Sequence, residues 1–324
     1  MKQVIIDSTG QLKKGLDLAK HVKVAGDIKN VIICGIGGSA LPADIVYATA
    51  KLNVPLYIHR NYNLPAAAHE NSLVICISYS GNTEETLSAL KEAIAKKYKA
   101  IGISAGGKVE ELCNANNLPL VKIPSGIQPR CATGYIFSAL AQILINQGLI
   151  EDISGQIVET SNQLAAINPL LEKAGKKLAK KIAGNIPIVY SSDNFKAAAM
   201  IWKIKFNENA KIPAFYNYFP ELNHNEMVGY TGLKKLGAKN FQVIILQDLA
   251  EHERIVKRIT LTATIIKKAG AKVEIINMQE GPHLFKMFSI LLLGDWVSYH
   301  TALANNVDPT PVKMVEEFKG LMAK

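Results

Sequence analysis

Three hydroxyl side chains fall within six residues in Ile77-Ser78-Tyr79-Ser80-Gly81-Asn82-Thr83-Glu84. The apolar run Leu73-Val74-Ile75-Cys76-Ile77 leads into them and a helical stretch follows. Ser78, Ser80 and Thr83 supply O–H donors, Gly81 lets a backbone approach closely, and Asn82 or Thr83 can cap the helix. Donors converging on one small anion at the carboxyl end of a strand suit a phosphate bound without a metal. Ordinary helix capping accounts for one or two of these residues but not for all of them.

A second loop, Cys34-Gly35-Ile36-Gly37-Gly38-Ser39-Ala40, also joins an apolar run to a helix start. Gly37, Gly38 and Ser39 can bring backbone N–H groups and a hydroxyl to an anion. Gly35, Gly37 and Ala40 satisfy the spacing of a dinucleotide fingerprint, but the second strand ends Tyr57-Ile58-His59-Arg60 without the acidic residue that would hold a ribose. A structural tight turn is the plainer competitor. The hydroxyl loop downstream favours phosphate binding.

Three further segments carry reactive groups. Glu208 lies in Phe206-Asn207-Glu208-Asn209-Ala210-Lys211 at the end of an apolar helix, and His224 in Pro220-Glu221-Leu222-Asn223-His224-Asn225-Glu226. Glu221 and Glu226 compete with Glu208 as carboxylates able to move a proton, and sequence physics does not choose among them. Arg130 follows Gln128-Pro129, and arginine occurs elsewhere only at 60, 254 and 258. A fixed guanidinium can stabilise oxyanions; a structural arginine is the alternative.

The elements that must hold these groups alternate along the whole chain. Strands are predicted at 31–34, 56–59, 73–78, 100–104 and 120–123, with helices from about residue 40, over 83–96 and 107–114, and an apolar one over 133–147. A polar, lysine-rich helical connection spans 154–183. Strands then return at 187–190, 213–216, 241–246 and 272–276, with helices over 194–209, 254–268, 283–304 and 312–322. Such alternation predicts an α/β fold, two mainly parallel sheets flanked by helices in flavodoxin-like fashion, with domains at 1–153 and 154–324.

Composition bounds the function. The chain has 324 residues, 48% of them hydrophobic and 20% charged, which suits two globular domains. No run reaches the ~20 apolar residues of a membrane helix, and Met1–Asp7 lacks a signal-peptide core, so a cytoplasmic protein is expected. Four cysteines at 34, 76, 113 and 131 show no metal-ligand spacing and read as reduced structural thiols. The net charge of +10 is mostly lysine spread along helices. It can help to collect a dianion, and without an arginine patch or aromatic RNA-binding motif it does not indicate nucleic acid.

S-Y-S-G-N-T-E-E-T, taken with G-I-G-G-S, Q-P-R and F-N-E-N-A-K…L-N-H-N-E, resembles the SIS-domain sugar isomerases. Within them it is most similar to the archaeal-type branch of bifunctional phosphoglucose/phosphomannose isomerases, from about residue 30 to the last helix. The resemblance implies two SIS domains per chain, a homodimer, a sugar phosphate substrate, and neither cofactor nor metal. It implies that Glu208 is the catalytic base and that His224 opens the sugar ring, reaching the neighbouring subunit's site. It also implies a substrate-facing lysine near the C-terminus, Lys319 in preference to Lys313. The implied reaction moves a proton between C2 and C1 through an enediolate, which Arg130 would stabilise. Two alternatives stand beside it: a phosphosugar-sensing SIS regulator, and another SIS isomerase such as one acting on amino sugars.

Overall fold

A computed structural model describes residues 1–232 and 237–322. The chain divides into two compact units, one of residues 6–165 and the other of residues 1–5 with 166–324. The border falls inside one long helix, and the boundary expected at 153/154 meets that helix at its first residue.

In the first unit, strands β1 (Asn30–Cys34), β2 (Leu56–His59), β3 (Ser72–Ser78), β4 (Lys99–Ser104) and β5 (Leu120–Lys122) form a parallel sheet ordered β2-β1-β3-β4-β5. This is the flavodoxin-like order, whose switch point lies between β1 and β3. Both of those strands are buried along their whole length, which explains their unbroken apolar runs. Helix α1 (Lys2–Asp7) straddles the border between residues 5 and 6, and the helices within this unit are α2 (Gln11–Ala19), α3 (Leu41–Thr49), α4 (Glu84–Ala95), α5 (Gly107–Ala115) and α6 (Thr133–Asn146). Helices α1 and α2 lie in a stretch for which no element was expected. Helices α4 and α5 cover a core of Ile32, Cys34, Val74, Cys76, Leu90 and Val109. All four cysteines are free and buried.

Helix α7 (Ser154–Ile182) is the lysine-rich connection and carries Pro169 in its interior. In the second unit, β6 (Ile186–Ser192), β7 (Phe215–Phe219), β8 (Phe241–Gln247) and β9 (Lys272–Asn277) form a parallel sheet ordered β7-β6-β8-β9. This order is that of the first sheet without its last strand. β7 begins two residues later than predicted and runs on to Phe219. Pro213 has no N–H to give a ladder, and the aromatic run continues the strand as far as Pro220.

The expected helix over 194–209 is three pieces: a 3-10 turn (Asp193–Phe195), α8 (Lys196–Lys205) and a π-helical turn (Phe206–Ala210). Three helices complete the unit, α9 (Glu253–Lys268), α10 (His283–Ala304) and α11 (Lys313–Met322). Among the described residues, no helix is long and apolar enough to cross a membrane.

Helix α8 packs on α10 through the buried Trp202, whose Nε1–H donates to the Ile290 carbonyl at 2.8 Å. A Cβ at Gly294 would stand 2.6 Å from that same Nε1. Gly294→Ala is therefore expected to lower the unfolding free energy by about 1–3 kcal/mol, the range for overpacking a core. Urea denaturation reads this directly, and an unchanged midpoint would show that α8 has room to move.

Candidate active site

The loops at the carboxyl end of the first sheet touch backbone to backbone. Gly81 has φ +71, and a Cβ there would lie 1.7 Å from the Gly106 carbonyl oxygen. Gly107, at φ +69, meets Ser80 in the same way from the other side, a Cβ on it falling 2.6 Å from the Ser80 carbonyl oxygen. The Gly81 carbonyl accepts from Val109 N–H at 3.0 Å and the Tyr79 carbonyl from Ala105 N–H at 3.1 Å. Ser104 Oγ donates to the Gly106 carbonyl at 2.6 Å. The β3 and β4 loops are thus one rigid piece, and only glycine fits at their contact.

Within that piece Ser78 is fully buried, and its Oγ lies 2.9 Å from Thr83 Oγ1. Thr83 occupies the N-cap position of α4, but its side chain makes no capping bond. The expectation that Thr83 caps the helix is therefore corrected: the hydroxyl turns to Ser78, and the helix's first N–H groups are left without that partner. Asn82 does not cap α4 either. Its amide donates to the Ser80 carbonyl at 3.0 Å and accepts from Lys108 N–H at 3.2 Å. Ser80 is exposed, its Oγ accepting from Asn82 N–H at 3.2 Å.

The glycine loop meets the same place. Ser39 is buried and its Oγ accepts from Tyr79 N–H at 3.0 Å. Gly37 is exposed at φ +56, with open space where a Cβ would be. Gly38 is buried against the arginine loop: a Cβ there would sit 2.8 Å from Arg130 N and 2.9 Å from the Pro129 carbonyl carbon. Arg130 is 1% exposed and reaches Gln128 Oε1 at 3.4 Å. Tyr79, not singled out from sequence, joins the three loops. Its hydroxyl donates to the Pro124 carbonyl and accepts from Ile127 N–H, both at 3.1 Å. Burial raises the Tyr79 phenol's pKa, so the hydroxyl keeps its proton. The structure thus brings Gly37, Gly38, Ser39, Ser78, Ser80, Thr83 and Arg130 to one end of one sheet.

In the second unit Glu208 is half-buried on the π-helical turn. Single π turns inside helices often mark functional sites. The turn is held from below, where Asn209 Nδ2 donates to Ser298 Oγ at 2.9 Å and the buried Lys205 pairs with Asp295, both acceptors on α10. Lys211 follows with left-handed backbone, and its ammonium donates to the carbonyls of Glu208 and Pro311. That tether, which no sequence signal announced, ties the glutamate's turn to the segment leading into α11. Lys319 and Lys313 are exposed on α11, and that helix buries none of its residues.

His224 ends a 3-10 turn (Glu221–His224) just beyond β7. It is exposed and makes no hydrogen bond or ion pair within the chain among the described residues. Glu221 is exposed and bound by Asn225 Nδ2 at 2.6 Å, and Glu226 accepts from both Tyr190 and Asn217.

The strand ends of the second sheet differ in charge from those of the first. Beyond β8 stand Asp248 and Glu251 where β3 leads to hydroxyls. Asp248 takes the Lys286 ammonium at 2.8 Å, and Glu251 accepts from Ser192 and Asn194. No group of three or more His, Cys, Asp or Glu side chains among the described residues is arranged to hold a metal ion.

Gly81→Ala would drive a methyl group into the Gly106 carbonyl. Affinity for inorganic phosphate, measured calorimetrically, is expected to fall at least about tenfold through the displaced loop, with helix content retained. Unchanged affinity would place the anion site elsewhere.

Comparison with known proteins agrees with this architecture. The family model for the bacterial phospho-glucose isomerase C-terminal SIS domain matches residues 171–322. A bifunctional phosphoglucose/phosphomannose isomerase of Caldicellulosiruptor bescii is 38% identical over 327 residues, covering 97% of this chain and 96% of that relative. One of Aquifex aeolicus is 31% identical over 312 residues, covering 95% and 94%. Among solved structures, tagatose-6-phosphate ketose/aldose isomerase from Escherichia coli matches 95% of this chain and 93% of its own with a TM-score of 0.69. At 17% identity that likeness speaks to the fold alone.

Proposed function

Because this chain belongs to the family of bifunctional phosphoglucose/phosphomannose isomerases, we propose that it interconverts glucose 6-phosphate and mannose 6-phosphate with fructose 6-phosphate through a cis-enediolate. The observation that carries this reading is the anion-ready strand end of the first unit. Buried Ser78 and half-buried Thr83 pair their hydroxyls at 2.9 Å over a helix start that Thr83, its N-cap residue, does not cap with its own side chain.

In this reading the phosphate ester is held by Ser39, Ser78, Ser80 and Thr83 with the N–H groups of Gly37 and Gly38. A dianion there gains from each donor and from the positive end of α4. The proton is carried by Glu208. One carboxylate on one face of the enediolate suffices, since the same oxygen that takes the C2 proton returns it at C1. Epimers at C2 share that enediolate, so a pocket that lets the C2–C3 bond rotate can serve both aldoses. Arg130 stabilises the charge that develops on O1 and O2. Its burial restricts the guanidinium to a few orientations.

His224 opens the ring, an imidazole being able to give and take a proton near neutral pH. Its exposure, with no partner among the described residues, supports a role in the neighbouring subunit's site, and so a working homodimer. Lys319 on the exposed α11 is the substrate-facing lysine of this reading, and the reaction belongs in the cytoplasm with its hexose phosphates.

Three measurements test it. Coupled assays with both hexose 6-phosphates should show turnover, undiminished by excess EDTA; binding without turnover would indicate a sensor instead. Glu208→Gln should cut turnover by at least about a hundredfold while substrate still binds; more than about a tenth of the rate remaining would remove Glu208 as the base. Glu208→Gln and His224→Gln chains, each inactive alone, should regain about a quarter of the wild-type rate when mixed and allowed to exchange subunits. Half of the dimers would then be mixed, each with one intact site, whereas no recovery would put His224 in its own chain's site.

A further inference from the structure

His224 stands between two anchors. On one side Leu222 is fully buried, and Asn223 is fixed to α9, donating to Thr262 Oγ1 at 2.8 Å and accepting from Arg258 at 3.3 Å. On the other side Glu226 reaches the sheet: one carboxylate oxygen accepts from Tyr190 O–H on β6, the other from Asn217 Nδ2 on β7. Asn225 bridges the two, donating to Glu221 Oε1 and accepting from Glu226 N–H, both at 2.6 Å. The imidazole between them is exposed.

The Glu226 anchor is backed by a buried network. Tyr190 and Tyr230 bring their hydroxyls within 2.7 Å of each other. Tyr190 commits its one proton to the carboxylate, so Tyr230 must donate to Tyr190. Burial holds both phenols above their ordinary value, Tyr230 being pushed up to about 12, so each remains a donor at any working pH. Both oxygens of Glu226 are occupied by donors, an arrangement that orients a group and does not leave it free to shuttle protons.

We propose that Glu226 is the positioning residue for His224, locking the turn to the ends of β6 and β7 so that the imidazole is presented at the ring oxygen of a bound sugar. The inference rests on the ring-opening role assigned to His224 above.

Replacement by glutamine disturbs the clamp while keeping its size. Held one way, the new amide accepts from Tyr190 but turns its NH2 to the NH2 of Asn217; held the other way, it accepts from Asn217 only if Tyr190 reverses its hydroxyl to donate to Tyr230 and loses its carboxylate partner. Asn217 is not free to turn over, because its Oδ1 already accepts from Tyr218 N–H at 2.8 Å.

The test compares Glu226→Gln with His224→Gln by two readouts, kcat on fructose 6-phosphate and affinity for 5-phospho-D-arabinonate, an acyclic enediolate mimic with no ring to open. Glu226→Gln is expected to lower kcat about ten- to hundredfold, the scale of a misplaced catalytic group. It should leave the affinity for the mimic within about threefold, as should His224→Gln. The double variant should be no slower than His224→Gln, because the two act through one imidazole. Tyr190→Phe, which keeps the ring's packing, should give the same split in smaller measure, with melting curves confirming the fold of each variant. Loss of mimic affinity in step with kcat, or additive losses in the double variant, would make Glu226 merely structural. Full activity in Glu226→Gln beside a crippled His224→Gln overturns this inference alone; full activity in His224→Gln overturns the ring-opening assignment with it.

Discussion

Two peptide backbones can lie in contact only if no Cβ stands between them, and the first unit's site depends on meeting that condition twice. Gly81 rests on Gly106, and Gly38 rests on the Pro129–Arg130 turn. These contacts hold the hydroxyl loop, the glycine loop and the arginine loop as one piece above the switch point of the sheet. In the proposed reading this fixes the backbone around the donors before an anion arrives, so that only the hydroxyl groups need turn toward it. Tyr79 closes the arrangement from below, its hydroxyl holding the segment that ends at Arg130. Preorganisation of this kind matters for electrostatic catalysis, where donors that must reorient give up much of their effect.

The second unit solves a different problem, that of holding one carboxylate and one imidazole on segments that are not regular helix. Glu208 rides on a π turn whose underside is fixed to α10 by Asn209 and Lys205. His224 rides on a 3-10 turn fixed on both flanks. In each case partnered polar groups, buried or half-buried, carry the irregular backbone. Lys211 adds a tether between the Glu208 turn and the segment leading into the C-terminal helix, its ammonium reaching the carbonyls of both Glu208 and Pro311.

Much of this was legible in the residues. Unbroken apolar runs marked β1 and β3 because both faces of those strands are covered, and glycine and hydroxyl punctuation marked the loops after them. Glu208 and His224 stood out through a family resemblance, since a lone glutamate at a helix end has no local signature. What escaped reading was set by tertiary partners. The sequence could not tell that the Thr83 hydroxyl would turn to Ser78 in place of capping its helix, nor that Tyr79 would find Pro124 and Ile127. The Gly106–Gly107 pair was visible as a dipeptide, but its use became plain only with Gly81 lying against it. A π turn and an α turn share the same residue preferences, so Phe206–Ala210 read as plain helix. β7 was misplaced because its start depends on where Pro213 interrupts the ladder.

Sheets of such similar order would ordinarily leave a visiting anion two equivalent docking places. Here the carboxylates of Asp248 and Glu251 occupy the second sheet's counterpart of the hydroxyl loop. In the proposed reading a phosphate ester therefore has one such strand end to bind and not two: the duplicated strand order keeps its shared geometry, while the serine-rich end suits a dianion and the acidic end does not.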